Sequence, residues 1–139
     1  MKTRYEFFAF GHENILATHN KTLEFIKDEN LTLRGDCIVG VNSDFDKKEL
    51  THFIKKAIGK KIKILIDTIP ENKKLHEEIT ADLNQDFSDP HELVVRQSSF
   101  ISERTFAINS SKSSLELNRE LIGFLKNCKN KIKITIKEF

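Results

Sequence analysis

The chain has 139 residues and a mass of 16.1 kDa, with 38% hydrophobic and 32% charged residues and 23 bases against 21 acids. That length suits one domain over residues 1–139, and eleven Phe residues argue against disorder. A formal charge of +2 gives no ground for nucleic-acid binding from net charge, Met1–Glu6 lacks the apolar run of a signal peptide, and no stretch approaches the roughly 20 apolar residues of a membrane span.

In chain order, RYEFFAF (4–10) reads as an aromatic strand that Gly11–Asn14 interrupts. Residues 15–19 and 22–26 alternate around Asn20-Lys21, a hairpin-like turn, and Leu31-Thr32-Leu33 resumes extended structure. Cys37–Val41 is a nearly continuous apolar run, as in a strand buried on both faces. Leu50, Phe53, Ile54, Ala57 and Ile58 then form one helical stripe. Asp46-x-x-Glu49 resembles a capping box, and Gly59 suits the C-terminal cap, which predicts a helix near 46–59. KIKILI (61–66) is an alternating strand, while 75–83 fits either helix or strand. ELVVRQS (92–98) and RTFAIN (104–109) read as strands. Ser113-x-x-Glu116 and the stripe Leu117, Leu121, Phe124, Leu125 predict a second helix near 114–127. KIKITIK (131–137) closes the chain as a strand whose free edge would suit a partner copy and a homo-oligomer.

Two segments match. Val41-Asn42-Ser43 aligns with Ile108-Asn109-Ser110. At the same offset Glu49-Leu50 meets Glu116-Leu117, Ile54 meets Leu121 and Ile58 meets Leu125. After a three-residue lengthening, Lys61–Ile64 meets Lys131–Ile134. A duplicated strand–helix–strand unit is one reading; the general likeness of such units is the other. Charge is also uneven: residues 47–63 hold seven Lys, and 67–92 hold eight acids against two Lys, a field able to steer a charged ligand.

The densest polar constellation spans residues 11–37: His12, Asn14, His19, Thr22, Glu24, Asp28, Asp36 and Cys37. Three readings compete. His12 and His19 with a carboxylate or Cys37 could ligate zinc, although no zinc motif is matched. A metal-free acid–base or ligand site could use a His oriented by Asp36 or Glu24. The same residues could simply cap turns. Cys37 follows Asp36, which raises rather than lowers a thiol pKa, so it reads as a small core residue. A second cluster, Arg96, Ser98, Ser99, Arg104 and Thr105, suits a carboxylate or phosphate, or Arg96 forms a salt bridge to Asp28 or Asp36. No P-loop, dinucleotide fingerprint or serine-hydrolase elbow occurs, and no cofactor is identifiable. The two cysteines fit no metal spacing, which points to a reduced, cytoplasmic setting.

The ordered string Gly11-His12-x-Asn14-Ile15, Ala17-Thr18-His19, Thr22–Phe25-x-Lys27-Asp28, Leu31-Thr32 and Gly35–Val41 resembles an archaeal domain-of-unknown-function family, the one numbered 371. Val95-Arg96-x-Ser98 and Arg104-Thr105 are similar to its second half, so the resemblance covers nearly the whole chain. It implies an archaeal, cytoplasmic origin and a β-rich fold, and assigns no catalytic residue. Ile26 and Gln97 stand where members of that family often carry Thr and Lys.

The expected architecture is α+β: a β-rich domain, sandwich-like or with a strongly curved sheet, with two helices and an internal duplication. The expected function is binding of a small anionic or polar molecule. His12, His19 and Asp36 would exchange protons, and Asn14, Thr22, Glu24, Arg96, Ser98 and Arg104 would hold the ligand. Whether a reaction follows is left open, and no metal is assigned. The alternative is a nucleic-acid- or protein-binding module that uses the Lys-rich first helix.

Overall fold

Alternation sets the first strand: in β1 (Arg4–Phe10) Phe7 and Ala9 turn into the core, while Glu6, Phe8 and Phe10 face outward. The computed structural model describes residues 3–139; Met1 and Lys2, where the reading of the N-terminus began, lie outside the described residues. The remaining elements are β2 (Thr22–Ile26), β3 (Ile38–Gly40), α1 (Lys47–Ala57), β4 (Lys61–Ile69), β5 (Glu77–Leu83), β6 (Glu92–Arg96), β7 (Thr105–Ile108), α2 (Arg119–Phe124) and β8 (Lys131–Glu138). The strands form one eight-stranded sheet in the order β1-β8-β4-β5-β7-β6-β2-β3. Neighbours are antiparallel except β2–β3 and β6–β7, which are parallel. Phe10 and Val41 exchange backbone hydrogen bonds of 2.8 and 2.9 Å, so the two ends of the order meet and the sheet closes on itself. The fold is thus β-rich α+β, with a sheet curved to closure.

The interior follows from the alternating strands. Ile62, Ile64 and Ile66 of β4 and Ile132, Ile134 and Ile136 of β8 are buried. Phe7 packs edge-to-face on Phe25 and Phe45 at 5.6 and 5.4 Å, the geometry that ring quadrupoles favour. α1 buries Leu50, Phe53, Ile54 and Ala57, four of the five stripe residues, while Ile58 lies beyond the helix and is exposed. Each large side chain so buried contributes about 1.5–3 kcal/mol. Asp46 caps α1 by accepting from the Lys48 N–H, and Gly59 takes the left-handed conformation (φ +86°) just past its end.

Several expectations are corrected. Residues 15–19 form no strand and no hairpin with β2; their carbonyls are taken by side chains of the C-terminal part of the chain, as described below. Leu31-Thr32-Leu33 is loop, and the ambiguous 75–83 resolves as β5. The second helix is only Arg119–Phe124. The Ser113/Glu116 box is real but caps a 3₁₀ turn at Ser114–Glu116, and the Asn118 side chain restarts the helix by accepting from the Glu120 and Leu121 N–H groups. β8 is not an edge: it is paired along its length with β1 on one side and β4 on the other, so it has no open ladder for a partner chain.

The parallel pairs position the site. A strand parallel to its predecessor must be reached by a crossover. Residues 27–37 therefore run back from the end of β2 to the start of β3, and 97–104 from the end of β6 to the start of β7. β2 is buried at every position, because its inner face meets the core and its outer face lies under these crossovers.

Candidate functional site

The β2–β6 ladder sets Thr22 opposite Arg96, Glu24 opposite Val94 and Ile26 opposite Glu92. Leu23, Phe25, Leu93 and Val95 alternate into the core, which leaves Thr22, Glu24, Glu92 and Arg96 together on the outer face under the crossovers. Glu24 is only 5% exposed. Its Oε2 accepts a hydrogen bond from the Cys37 thiol at 3.1 Å, while the buried Oε1 meets no donor among the described residues. The neighbouring carboxyl belongs to Glu92, and two carboxyls side by side disfavour the charged form. Burial, followed by the neighbouring Glu92 carboxyl, pushes the Glu24 carboxyl up to about 7.

Cys37 is held in the thiol form, raised to about 12 by burial and then by the Glu24 charge; Asp36 adds the weakest of the named contributions. The direction read from Asp36 holds, but Glu24 and burial supply most of it. Arg96 donates from Nε to Thr105 Oγ1 at 2.8 Å, and its guanidinium carbon lies 4.9 Å from the centre of the Phe100 ring. No salt bridge to Asp28 or Asp36 forms among the described residues; Thr105, itself held by the Ser102 N–H and hydroxyl, takes that place. Burial and the neighbouring Arg104 both weigh against the charged form of Arg96, while Glu24 and Cys37 favour it. Arg104 Nη1 lies 3.6 Å from Glu92 Oε2.

Both histidines sit in turns. His19 Nδ1 accepts from the backbone N–H groups of Lys21 and Thr22 at 3.1 Å and lies 3.0 Å from Thr22 Oγ1. That fixes Nδ1 as the acceptor and leaves Nε2 as the ring's donor. Thr22 Oγ1 joins His19 to the Glu24–Arg96 group. Asp36 adjoins His19 through its backbone: its carbonyl accepts from the Thr18 and His19 N–H groups. His12 is not gathered there. Its Nδ1 accepts from the Asn14 N–H and its N–H donates to Leu125 O, and Asn14 Nδ2 donates to Leu31 O. Ser98 Oγ accepts from the Phe100 N–H within its own loop.

His12 instead lines an open cleft of about 530 Å³ with Phe10, Glu29, Asn42, Lys126 and Asn127 among its walls. A second cleft of about 530 Å³ lies against Ile26, Lys27, Ile38, His91 and Glu92, at the Glu92 end of the buried polar group. Among the described residues no three His, Cys, Asp or Glu side chains are gathered as a metal would need, so His12, His19 and Cys37 do not converge as ligands. No described helix is long and apolar enough to cross a membrane.

Glu92 and Phe100 are members of the group that sequence reading passed over. Glu92 sits at the start of an apolar run, and only the antiparallel register with β2 brings it beside Glu24. His76 pairs with Asp67 at 2.7 Å. Arg119 and Lys126, also unremarked, hold the His12–His19 loop: Arg119 donates to the carbonyls of Ala17 at 2.8 Å and Leu16 at 3.0 Å, and Lys126 to that of Ile15 at 2.6 Å.

Residues 7–138 match the model of a family described as Domain of unknown function (DUF371). The chain is also similar to the uncharacterized protein MJ0206 of the archaeon Methanocaldococcus jannaschii, 34% identical over 126 residues that cover 89% of this chain and 92% of that protein.

Proposed function

We propose, for a chain that belongs to the domain-of-unknown-function family DUF371 and so takes no activity from its family name, that the Glu24–Glu92–Arg96–Arg104 group binds a small anionic molecule and exchanges a proton with it. The carrying observation is a carboxyl buried to 5% exposure, with one oxygen lacking a donor, beside two arginines. Among the described residues Arg96 has a single side-chain hydrogen bond, from Nε, which leaves its outer nitrogens to meet a carboxylate or phosphate. Glu24, held near neutrality between its two protonation states, is matched to acid–base work at physiological pH. We assign the proton exchange to Glu24 because it lies beside the two arginines, whereas His12 lies at another cleft and His19 meets this group only through Thr22.

Inorganic phosphate is the probe that tests this. In an amide NMR titration, phosphate should shift resonances of β2, β6 and the two crossovers, and Arg96→Met should weaken its binding at least tenfold without moving the melting temperature by more than a few degrees. Unchanged spectra at 10 mM phosphate would remove the reading.

The same section of the fold supports descent from one duplicated unit. Residues 26, 28 and 37 in the first half accept from the N–H groups of Ser43, Asn42 and Glu24; Arg96, Ser98 and Arg104 in the second accept from Ser110, Asn109 and Val94. Asn42 and Asn109, aligned in the sequence, both take positive φ (51° and 54°). The parallel ladders slip at the same place, between Glu24 and Phe25 and between Val94 and Val95. His19 Nδ1 caps Lys21 and Thr22 as Asp89 Oδ1 caps His91 and Glu92, and His12 Nδ1 caps Asn14 as Asn84 Oδ1 caps Asp86. On this reading the anion group straddles the axis relating the halves: Glu24 and Cys37 come from one, Glu92, Arg96 and Arg104 from the other.

A further inference from the structure

We infer that the outer face of β1 and β8 is a binding path for single-stranded nucleic acid, which ends in the cleft at His12. This goes beyond the small-anion reading and uses none of its residues. The charge argument is local rather than global. Residues 121–137 carry five lysines, at 126, 129, 131, 133 and 137, and no acid. On β8 the isoleucines at 132, 134 and 136 fill the core, so Lys131, Lys133 and Lys137 all stand outward. Glu6 is the single acid among the outward positions of the two strands, and it is shared between Arg4 at 2.8 Å and Lys133 at 3.7 Å.

Rings lie among these cations in register. Phe8 pairs with Lys133 and Phe10 with Lys131 across the ladder, and both rings are partly exposed. Lys131 Nζ hangs over both, 4.5 Å from the centre of Phe8 and 5.7 Å from that of Phe10. A sheet face that alternates flat apolar rings with ammonium groups is complementary to a chain that alternates bases with phosphates: the rings stack on bases and the cations track the backbone. A duplex hides its base faces and lacks that complement. α1 carries exposed lysines as well, but its phenyl ring, Phe53, is buried, and the lone exposed imidazole of His52 makes no row of stacking rings.

The path continues into the cleft. Phe10 is one of its walls, together with His12, Asn30, Asn42 and Asn127, donors and acceptors that suit the edge of a base. Glu13 and Glu29 on its walls outnumber the one cation, Lys126, whose ammonium is already bonded to the Ile15 carbonyl, so a base rather than a phosphate enters there.

The test is fluorescence anisotropy of the full chain with a labelled twelve-residue oligouridylate, titrated from 50 to 300 mM KCl. Three or four phosphate contacts predict a slope of log K on log salt of about −2 to −3. Phe8→Ala and Phe10→Ala should each weaken binding about tenfold. Lys131→Glu with Lys133→Glu should weaken it further and flatten the slope; neither lysine fills the core, so melting curves should stay close to that of the parent. Lys47→Glu with Lys55→Glu, on α1, should change affinity by less than twofold. The inference is overturned by an absence of binding at 50 mM KCl, by ring variants that bind as the parent does, by equal affinity for duplex, by full competition from polyglutamate, or by loss of binding in the α1 variant.

Discussion

At the scale of single residues, Glu24 is where chemistry and stability meet. Its carboxyl is raised to about 7 in the folded chain, mainly by burial, whereas an exposed Glu titrates near 4.3. The folded state therefore holds a proton that the unfolded chain gives up between these values, and stability falls as pH rises from roughly 4.5 through 7. The loss approaches about 3 kcal/mol, an order-of-magnitude figure for a shift of that size. Glu24→Gln keeps the shape, accepts from Cys37 and donates permanently toward Glu92. Thermal melts of that variant should show higher stability than the parent above pH 7, little difference at pH 4.5, and a flatter profile between; a parent-like slope would show that Glu24 is not the titrating group. The sequence singled out Glu24 and Cys37 by type and position. Glu92 escaped because its role depends on a register between strands some seventy residues apart, and nothing local announces that.

At the scale of elements, the loop of residues 11–19 is ordered without a ladder. Strand-like alternation at 15–19 suggested a hairpin, yet the carbonyls of Ile15, Leu16 and Ala17 are taken by Lys126 and Arg119, and Ser114 Oγ bridges to His19. Alternation shows which side chains turn inward, not which groups satisfy the backbone. Strands with a strict inward row, such as β1, β4 and β8, were legible for that reason, as was the stripe of α1. The second helix was overextended because its stripe runs through a 3₁₀ turn and a restart at Asn118, which keep the apolar residues inward while breaking the helix. Arg119→Ala should leave the carbonyls of Leu16 and Ala17 without a charged donor, each bond worth about 1.5–3 kcal/mol. With partial replacement by water, we expect a net loss near 2–3 kcal/mol and a melting temperature lower by roughly 5–10 °C, with Arg119→Lys recovering only part. A shift below 2 °C by calorimetry would mean that the loop is held by Lys126 and Ser114 alone.

At the scale of the whole molecule, the halves interleave. β4 of the first half lies between β8 and β5 of the second, and β2 pairs with β6. Neither half can complete its ladders alone, so fragments 1–70 and 71–139 should each give collapsed, poorly dispersed amide spectra, and a folded spectrum should return when they are mixed. Either fragment folding by itself as a monomer would contradict this topology. Such interleaving is invisible to pattern reading, because pairing partners are chosen by packing across the whole chain. The closure described for Phe10 and Val41 has a mechanical consequence. β1, β8, β4 and β5 are zipped along long antiparallel ladders, and β7, β6, β2 and β3 form a second arc. Between the arcs the ladders are short: the Phe10–Val41 bridge on one side, flanked by the Phe8–Asp44 bonds, and Asp82–Ile108 with Leu83–Ala107 on the other, flanked by Thr80–Ser111 and Asn84–Phe106. The wall is therefore two stiff shells with thin seams. Breathing motions should open it along those seams, and the His12 cleft, whose walls include both Phe10 and Val41, straddles one of them, so an occupant there would rivet the shells together.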